Sequence, residues 1–130
     1  MIVKSIVAAT AVSAGLLTGV AAPAAADVER RAVCSAGSQI DIDVDRDFNV
    51  YGIDVEINSR SSDENWRLVV TRNGKRIHSS TRATRQDYDD RYGEVDWEVL
   101  ARATSRARAT FVAKATNQVT GETCRVRVTY

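Results

Sequence analysis

The chain has 130 residues, of which 44% are hydrophobic and 27% charged, and its formal net charge is +1 at pH 7. This length suits one small domain, and the near balance of charge argues against nucleic acid and anionic membranes as partners, since both select a basic surface. One histidine and two cysteines cannot supply the four ligands of a structural zinc site.

Residues 1–26 have the pattern of a secretory signal peptide. Lys4 precedes an apolar run over 5–20, small residues follow, and an A-x-A sequence ends at Ala26. We therefore expect cleavage after Ala26, leaving a secreted, extracellular domain over 27–130 without a membrane anchor. The alternative, an N-terminal anchor, is disfavoured because the run is shorter than the roughly 20 residues of a span. Cleavage removes Lys4 and no acidic residue, so the remaining charges balance.

Cys34 and Cys124 are the only cysteines, and they lie near the two ends of the expected mature chain. In an exported chain the simplest interpretation is a disulfide between them. Such a bond closes a loop of about 90 residues, which in the chain-entropy model contributes about 4–5 kcal/mol. The alternatives are two free thiols or intermolecular pairing.

Strict alternation of apolar and polar residues runs through the chain after residue 39 and predicts half-buried strands. The alternation places both tryptophans in the core rather than on a sugar-stacking platform. About seven strands with regular turns predict an all-β, two-sheet antiparallel sandwich. The expected inward residues are Ile40, Ile42, Val44, Tyr51, Ile53, Val55, Ile57, Trp66, Leu68, Val70, Val95, Trp97, Val99, Ala101, Ala107, Ala109, Phe111, Ala113, Ala115, Cys124, Val126, Val128 and Tyr130.

One hairpin can be placed to the residue. Asn73-Gly74 between alternating runs predicts a type I′ turn, because that turn needs a positive φ at both central positions. An uninterrupted register then sets Val70 opposite Ile77 and points His78 to solvent. A second turn is expected near 117–121.

Three segments resemble small secreted bacterial immunoglobulin-like domains: "WRLVVTRNGKRI", "GEVDWEV" and "ATFVAKATNQVTGETCRVRVTY". The alanine-rich signal resembles those of actinobacterial proteins. The resemblance implies an immunoglobulin-like sandwich. Antibody-type domains join two central strands by their disulfide, whereas here the cysteines fall on the first and last strands. The bond would therefore staple the edges of the fold, and only the architecture is implied.

Alternating acids after residue 40 partly match a calcium loop. The candidate ligands are Asp45, Asp47, Asn49 and Glu56, but Val50 stands where such a loop needs glycine. The preferred interpretation is a solvated strand face paired with arginines from a neighbour. We therefore expect no metal and no cofactor.

The stretch "RQDYDDRYGEVD" has little strand character before Trp97. One interpretation is a contact loop in which tyrosines give rigid amphipathic area; the favoured one is a connection between the sheets. Its candidate contact residues are Arg85, Asp87, Tyr88, Asp89, Asp90, Arg91 and Tyr92.

Basic side chains alternate along the last strands, and acidic ones along the Trp97 strand. Cross-strand pairing of the two sets is expected to neutralise both. If the strands were not neighbours, a basic patch would form, and anionic glycans would become plausible partners. The basic set is Arg106, Arg108, Lys114, Arg125 and Arg127, and the acidic set is Glu94, Asp96 and Glu98.

No catalytic set is evident, since His78 lacks an orienting acid and the chain has neither a G-x-S-x-G motif nor an expected free thiol. We therefore expect a monomeric, non-catalytic binding module whose partner is an extracellular protein or a cell-surface polymer. One alternative is an inhibitor of a secreted protease or glycosidase that presents residues 85–93. Another is a small secreted hydrolase using carboxylates from Asp41–Asp47 and Asp87–Asp96.

Overall fold

The computed structural model describes residues 27–86, 93–103, 105 and 107–130. Within these ranges the chain forms nine strands and no helix, so no helix of the described part could cross a membrane. The strands are β1 (Val28–Val33), β2 (Gln39–Asp47), β3 (Val50–Ser59), β4 (Asn65–Arg72), β5 (Lys75–Ala83), β6 (Arg85–Gln86), β7 (Gly93–Arg102), β8 (Thr110–Asn117) and β9 (Thr123–Thr129).

Two antiparallel sheets pack face to face, which confirms the all-β sandwich. One has five strands in the order β1-β2-β3-β7-β6, and the other has four in the order β9-β8-β4-β5. Strand β7 hydrogen-bonds to β3, and β8 hydrogen-bonds to β4. The chain therefore changes sheet between β7 and β8.

The core lies between the sheets and is built by the predicted alternation. Trp66 is 0% exposed and Trp97 is 3% exposed, so both tryptophans are core residues, as expected. Ile40, Ile57 and Phe111 are also fully buried. Because successive residues of a strand point to opposite faces, every second position is left to face water, and those positions decide the chemistry of the surface.

The hairpin of β4 and β5 has the predicted turn but not the predicted register. Asn73 and Gly74 both have positive φ, 50° and 85°. However, Thr71 pairs with Arg76 and Val70 pairs with His78, so Ile77 is an extra residue opposite the break. A β-bulge of this kind shifts all later pairs by one and exchanges the two faces of the strand.

The predicted pairing of Val70 with Ile77, and the exposed position of His78, are therefore wrong. His78 lies on the inward side of β5, where it is half-buried and its Nε2 is 2.8 Å from the Oγ of Ser80. Ile77 still packs partly against the core. Strand β5 is the edge of its sheet, and a polar residue on its inward side is one way in which proteins protect such edges.

The predicted disulfide between Cys34 and Cys124 is present. Cys34 directly follows β1, and Cys124 lies on β9, so the bond joins the edge strands of the two sheets. Its presence suits an oxidising compartment rather than the cytoplasm.

A buried carboxylate fixes the turn beside the disulfide. Glu122 is 8% exposed and accepts hydrogen bonds from the backbone amides of Ala36 and Ser38, at 2.8 and 3.0 Å. The hydroxyl of Ser38 donates a hydrogen bond to the other carboxylate oxygen of Glu122 at 2.8 Å. Because Glu122 precedes β9, it ties the β1–β2 turn to the opposite sheet, next to the covalent link.

Candidate functional site

The outward positions of the five-stranded sheet are strongly acidic. Asp43 on β2 lies opposite Asp54 on β3, and Asp54 lies opposite Glu98 on β7. Glu29 on β1 extends this row of carboxylates. The outward acids, which together are called the acidic face below, are Glu29, Asp41, Asp43, Asp45, Asp47, Asp54, Glu56, Glu94, Asp96 and Glu98.

The outward positions of the four-stranded sheet carry the opposite charge. All five cations there are exposed, and none forms an ion pair with a carboxylate in the described part of the chain. No outward position of these four strands holds an acidic residue. This surface, called the basic face below, carries Arg67, Arg76, Lys114, Arg125 and Arg127.

The expected neutralisation of the two charge sets is therefore wrong. Asp96 on β7 lies opposite Glu56 on β3, not opposite a basic strand. Lys114 and Arg125 pair with each other across β8 and β9, in the other sheet. The physical reason is the change of sheet between β7 and β8, which separates acidic from basic strands. Arg108 is exposed ahead of β8, and Arg106 lies outside the described residues.

Repulsion on the acidic face is partly relieved at its β1 edge. The guanidinium of Arg31 donates to Asp41 at 2.7 Å. Asp54, nearer the middle, has no such partner among the residues that the structure describes. Partial desolvation, followed by the charges of Glu98, Asp45 and Asp96, raises the pKa of Asp54 above its ordinary value.

Replacing Asp54 with asparagine is expected to stabilise the domain at neutral pH by a few tenths of a kcal/mol, because like charges directly opposite one another are destabilising. A carboxylate with a raised pKa contributes stability below its unfolded-state pKa and loses it as the pH rises through its folded-state pKa. The advantage of Asp54→Asn should therefore shrink and vanish on acidification to about pH 3. Urea denaturation at both pH values measures it; an equal advantage at both would contradict this account.

The calcium candidates are not brought together as one set. Asp45, Asp47 and Asn49 lie where β2 turns into β3. Glu56 lies further along β3, opposite Asp41, and accepts a hydrogen bond from the amide of Asn58 at 2.9 Å. Among the described residues, no group of three or more acidic, histidine or cysteine side chains is arranged to hold a metal ion.

The candidate contact loop falls mainly beyond what the structure describes. Arg85 is exposed on β6 and lies opposite Glu94 on β7. The other candidates are outside the described residues, namely Asp87, Tyr88, Asp89, Asp90, Arg91 and Tyr92.

Of the carboxylates considered for a hydrolase, those in the described residues lie on the outward side of the five-stranded sheet, whereas Asp87, Asp89 and Asp90 lie outside the described residues. Asp41 and Asp96 occupy the same cross-strand row, with Glu56 of β3 between them. Two strand spacings separate them, about 9–10 Å between backbones. Asp41, Glu56 and Asp96 thus form one row of like charges across three strands.

The structure also reveals a groove that the sequence analysis did not identify. It is an open depression of about 520 Å³ at one end of the acidic face. Two large apolar side chains border it, Phe48 at 91% and Leu100 at 68% exposure. This acidic groove is lined by Asp45, Phe48, Gly52, Asp54, Glu98 and Leu100.

A sequence signal for the groove was present. Leu100 occupies an outward position of β7, out of phase with Val95, Trp97 and Val99. A large apolar residue on the polar phase of a strand is a candidate contact residue, because it contributes nothing to the core.

No family model, curated protein or solved structure matches the chain.

Proposed function

We propose that the chain from residue 27 onward is exported and acts outside the cell as a non-catalytic binding module for an anionic polymer. The observation that carries the proposal is the basic face, where five exposed cations share the outward side of one sheet and no outward position of its strands is acidic. The disulfide supports an extracellular setting, since such bonds persist in oxidising compartments.

The lattice of the sheet suits a repeating ligand. Arg125 lies directly opposite Lys114, and Arg127 follows two residues later on β9. Neighbouring strands lie about 4.8 Å apart, and alternate residues of one strand lie about 6.8 Å apart. Cations at such intervals can contact successive acidic groups of one polymer chain. Guanidinium groups can bind carboxylate, sulfate or phosphate in a bidentate manner.

The rest of the face suits a carbohydrate backbone. Outward threonines accompany the cations, among them Thr116, Thr123 and Thr129. Their hydroxyls can both donate to and accept from sugar hydroxyls. Cations spread over four neighbouring strands favour a polymer over a small molecule, which is usually held in a concave site. An acidic glycan of the cell surface or its surroundings is therefore the proposed ligand.

The proposal is tested with heparin beads as the anionic glycan probe and dextran beads as the uncharged control. The triple variant Lys114→Gln/Arg125→Gln/Arg127→Gln should bind heparin at least about tenfold more weakly, because several ionic contacts are lost together. The matched control is Arg30→Gln/Arg60→Gln/Arg102→Gln, which removes the same charge away from the basic face. It should bind nearly as well as the unmodified chain.

Equal weakening by the two triple variants would reject the basic face as the site. Competition by duplex DNA but not by polygalacturonate would indicate a nucleic-acid ligand and would also reject the proposal. A further variant with residues 87–92 replaced by a Gly/Ser linker should keep its heparin binding. If that variant instead loses a co-purifying secreted enzyme, the inhibitor hypothesis replaces this one.

A further inference from the structure

Exposed apolar side chains and carboxylates without cationic partners meet in the acidic groove. Asp45, Asp54 and Glu98 have no cation within ion-pair distance in the described part of the chain. Asp54 lies directly opposite Glu98. An occupant with positive charge would therefore relieve repulsion that the fold itself leaves uncompensated.

The apolar border of the groove has no role in the core. Phe48 is 91% exposed and has a φ of 56°, in the left-handed region that costs an L-residue about 1–2 kcal/mol. Leu100 is 68% exposed and stands opposite Gly52 across the strand pair. Single exposed apolar residues are ordinary, but two large ones lining one depression mark a contact surface.

The depth of the groove depends on a glycine in the middle of a strand. Gly52 lies on β3, opposite Asp45 on one side and Leu100 on the other. A Cβ added at Gly52 would lie 2.5 Å from the Oδ1 of Asp45. Glycine weakens a strand interior and often marks a place where another chain or a ligand approaches closely. Any larger side chain there would occupy the groove.

We propose that the acidic groove binds an extended cationic segment of another protein, in which an apolar side chain lies beside lysine or arginine. The cations would lie against Asp45, Asp54 and Glu98, and the apolar side chain would pack between Phe48 and Leu100. This site goes beyond the proposed polymer binding, because it lies on the opposite sheet and takes a ligand of opposite charge.

Two other occupants fit less well. A metal ion is disfavoured because no group among the described residues is arranged to hold one. A second copy of the chain is disfavoured because its outward cations on β4, β5, β8 and β9 belong to hydrogen-bonded strands rather than to a free extended segment.

Two fluorescein-labelled peptides of equal charge test the groove, GKFKKLKG and GKSKKSKG. Fluorescence anisotropy at about 150 mM salt, where exposed charges more than about 8 Å apart are largely screened, should give at least about fivefold tighter binding of the apolar peptide. Gly52→Val should weaken its binding at least about tenfold by filling the groove, without any change of charge. Leu100→Ser should abolish the preference between the two peptides.

A matched pair of variants separates a site from diffuse attraction. Asp54→Asn removes one charge within the groove and should weaken peptide binding about three- to fivefold. Glu29→Gln removes one charge on the same face at its far edge, on β1, and should change binding less than about twofold. Thermal unfolding by circular dichroism identifies any variant that has lost its fold, which is then excluded from the comparison.

Equal binding of the two peptides, or equal weakening by Asp54→Asn and Glu29→Gln, would overturn the proposal. Sedimentation equilibrium tests whether a second copy of the chain occupies the groove. Self-association that is abolished by Gly52→Val would assign the groove to a second copy and would also overturn the proposal. The triple variant of the basic face should keep its peptide binding. A loss of polymer binding by the basic face can therefore be distinguished from a loss of peptide binding by the acidic groove.

Discussion

Replacing both Cys34 and Cys124 with alanine is expected to lower the free energy of unfolding by about 4–5 kcal/mol. The bond spans a sequence separation of 90 residues, so its loss restores a large conformational freedom to the unfolded chain. Domains of this size are commonly stable by only about 5–15 kcal/mol. The variant should therefore lose a large part of its stability, and its melting temperature should fall by roughly 15 °C or more.

Urea denaturation of the oxidised chain, the double variant and the reduced unmodified chain measures this effect. The reduced chain and the double variant should agree within about 1 kcal/mol, because both lack the same cross-link. A loss of less than about 1 kcal/mol in both would contradict a mainly entropic role for the bond.

Replacing Glu122 with alanine is expected to cost about 2–3 kcal/mol, the second largest effect. The carboxylate is buried and accepts hydrogen bonds from two backbone amides and one hydroxyl, all in the β1–β2 turn. Alanine leaves the amide and the hydroxyl of Ser38 without an acceptor, and Ser38 is only 3% exposed, so water replaces the carboxylate poorly there. Hydrogen bonds to an ionised acceptor are also stronger than those between neutral groups.

Glu122→Gln is the matched control, since it keeps the shape and one acceptor oxygen. It should cost about half as much as the alanine variant. Amide hydrogen exchange at Ala36 and Ser38 gives a local measurement, and both amides should exchange faster in Glu122→Ala. Equal losses of stability in the two variants, with unchanged exchange, would show that the carboxylate does not hold the turn.

The periodicity of the sequence was sufficient to predict the layers of the fold but not every register within them. Trp66, Leu68 and Val70 were assigned to the core by alternation alone, and all three are fully buried. The bulge at Ile77 could not be predicted from the sequence. The residues that follow it in β5 are polar, so they show no alternation of apolar and polar residues that would reveal a change of register. Because of the bulge, His78 lies on the inward side of β5 and not on the outward side that an uninterrupted register predicts.

The arrangement of charge depended on which strands are neighbours, and this is not a local property of the sequence. Glu98 and Lys114 are close in the sequence, yet they lie on outward faces of different sheets. The formal net charge of +1 gives no indication of this separation, because it does not depend on where the charged residues lie. The groove was missed for a related reason. Asp45, Gly52 and Leu100 become neighbours only when β2, β3 and β7 pair.

The acidic and basic faces separate positive from negative charge across the molecule, although its formal net charge is only +1. If the domain binds an anionic polymer in a cell wall, in line with the proposed function, the field of the wall would turn its basic face inward before contact. Each bound molecule would then display its acidic face outward, so the wall would keep its negative sign. A polycation, by contrast, reverses the surface charge and repels the next molecule to arrive. Coverage by this domain would therefore be limited by the area of the wall rather than by accumulated charge.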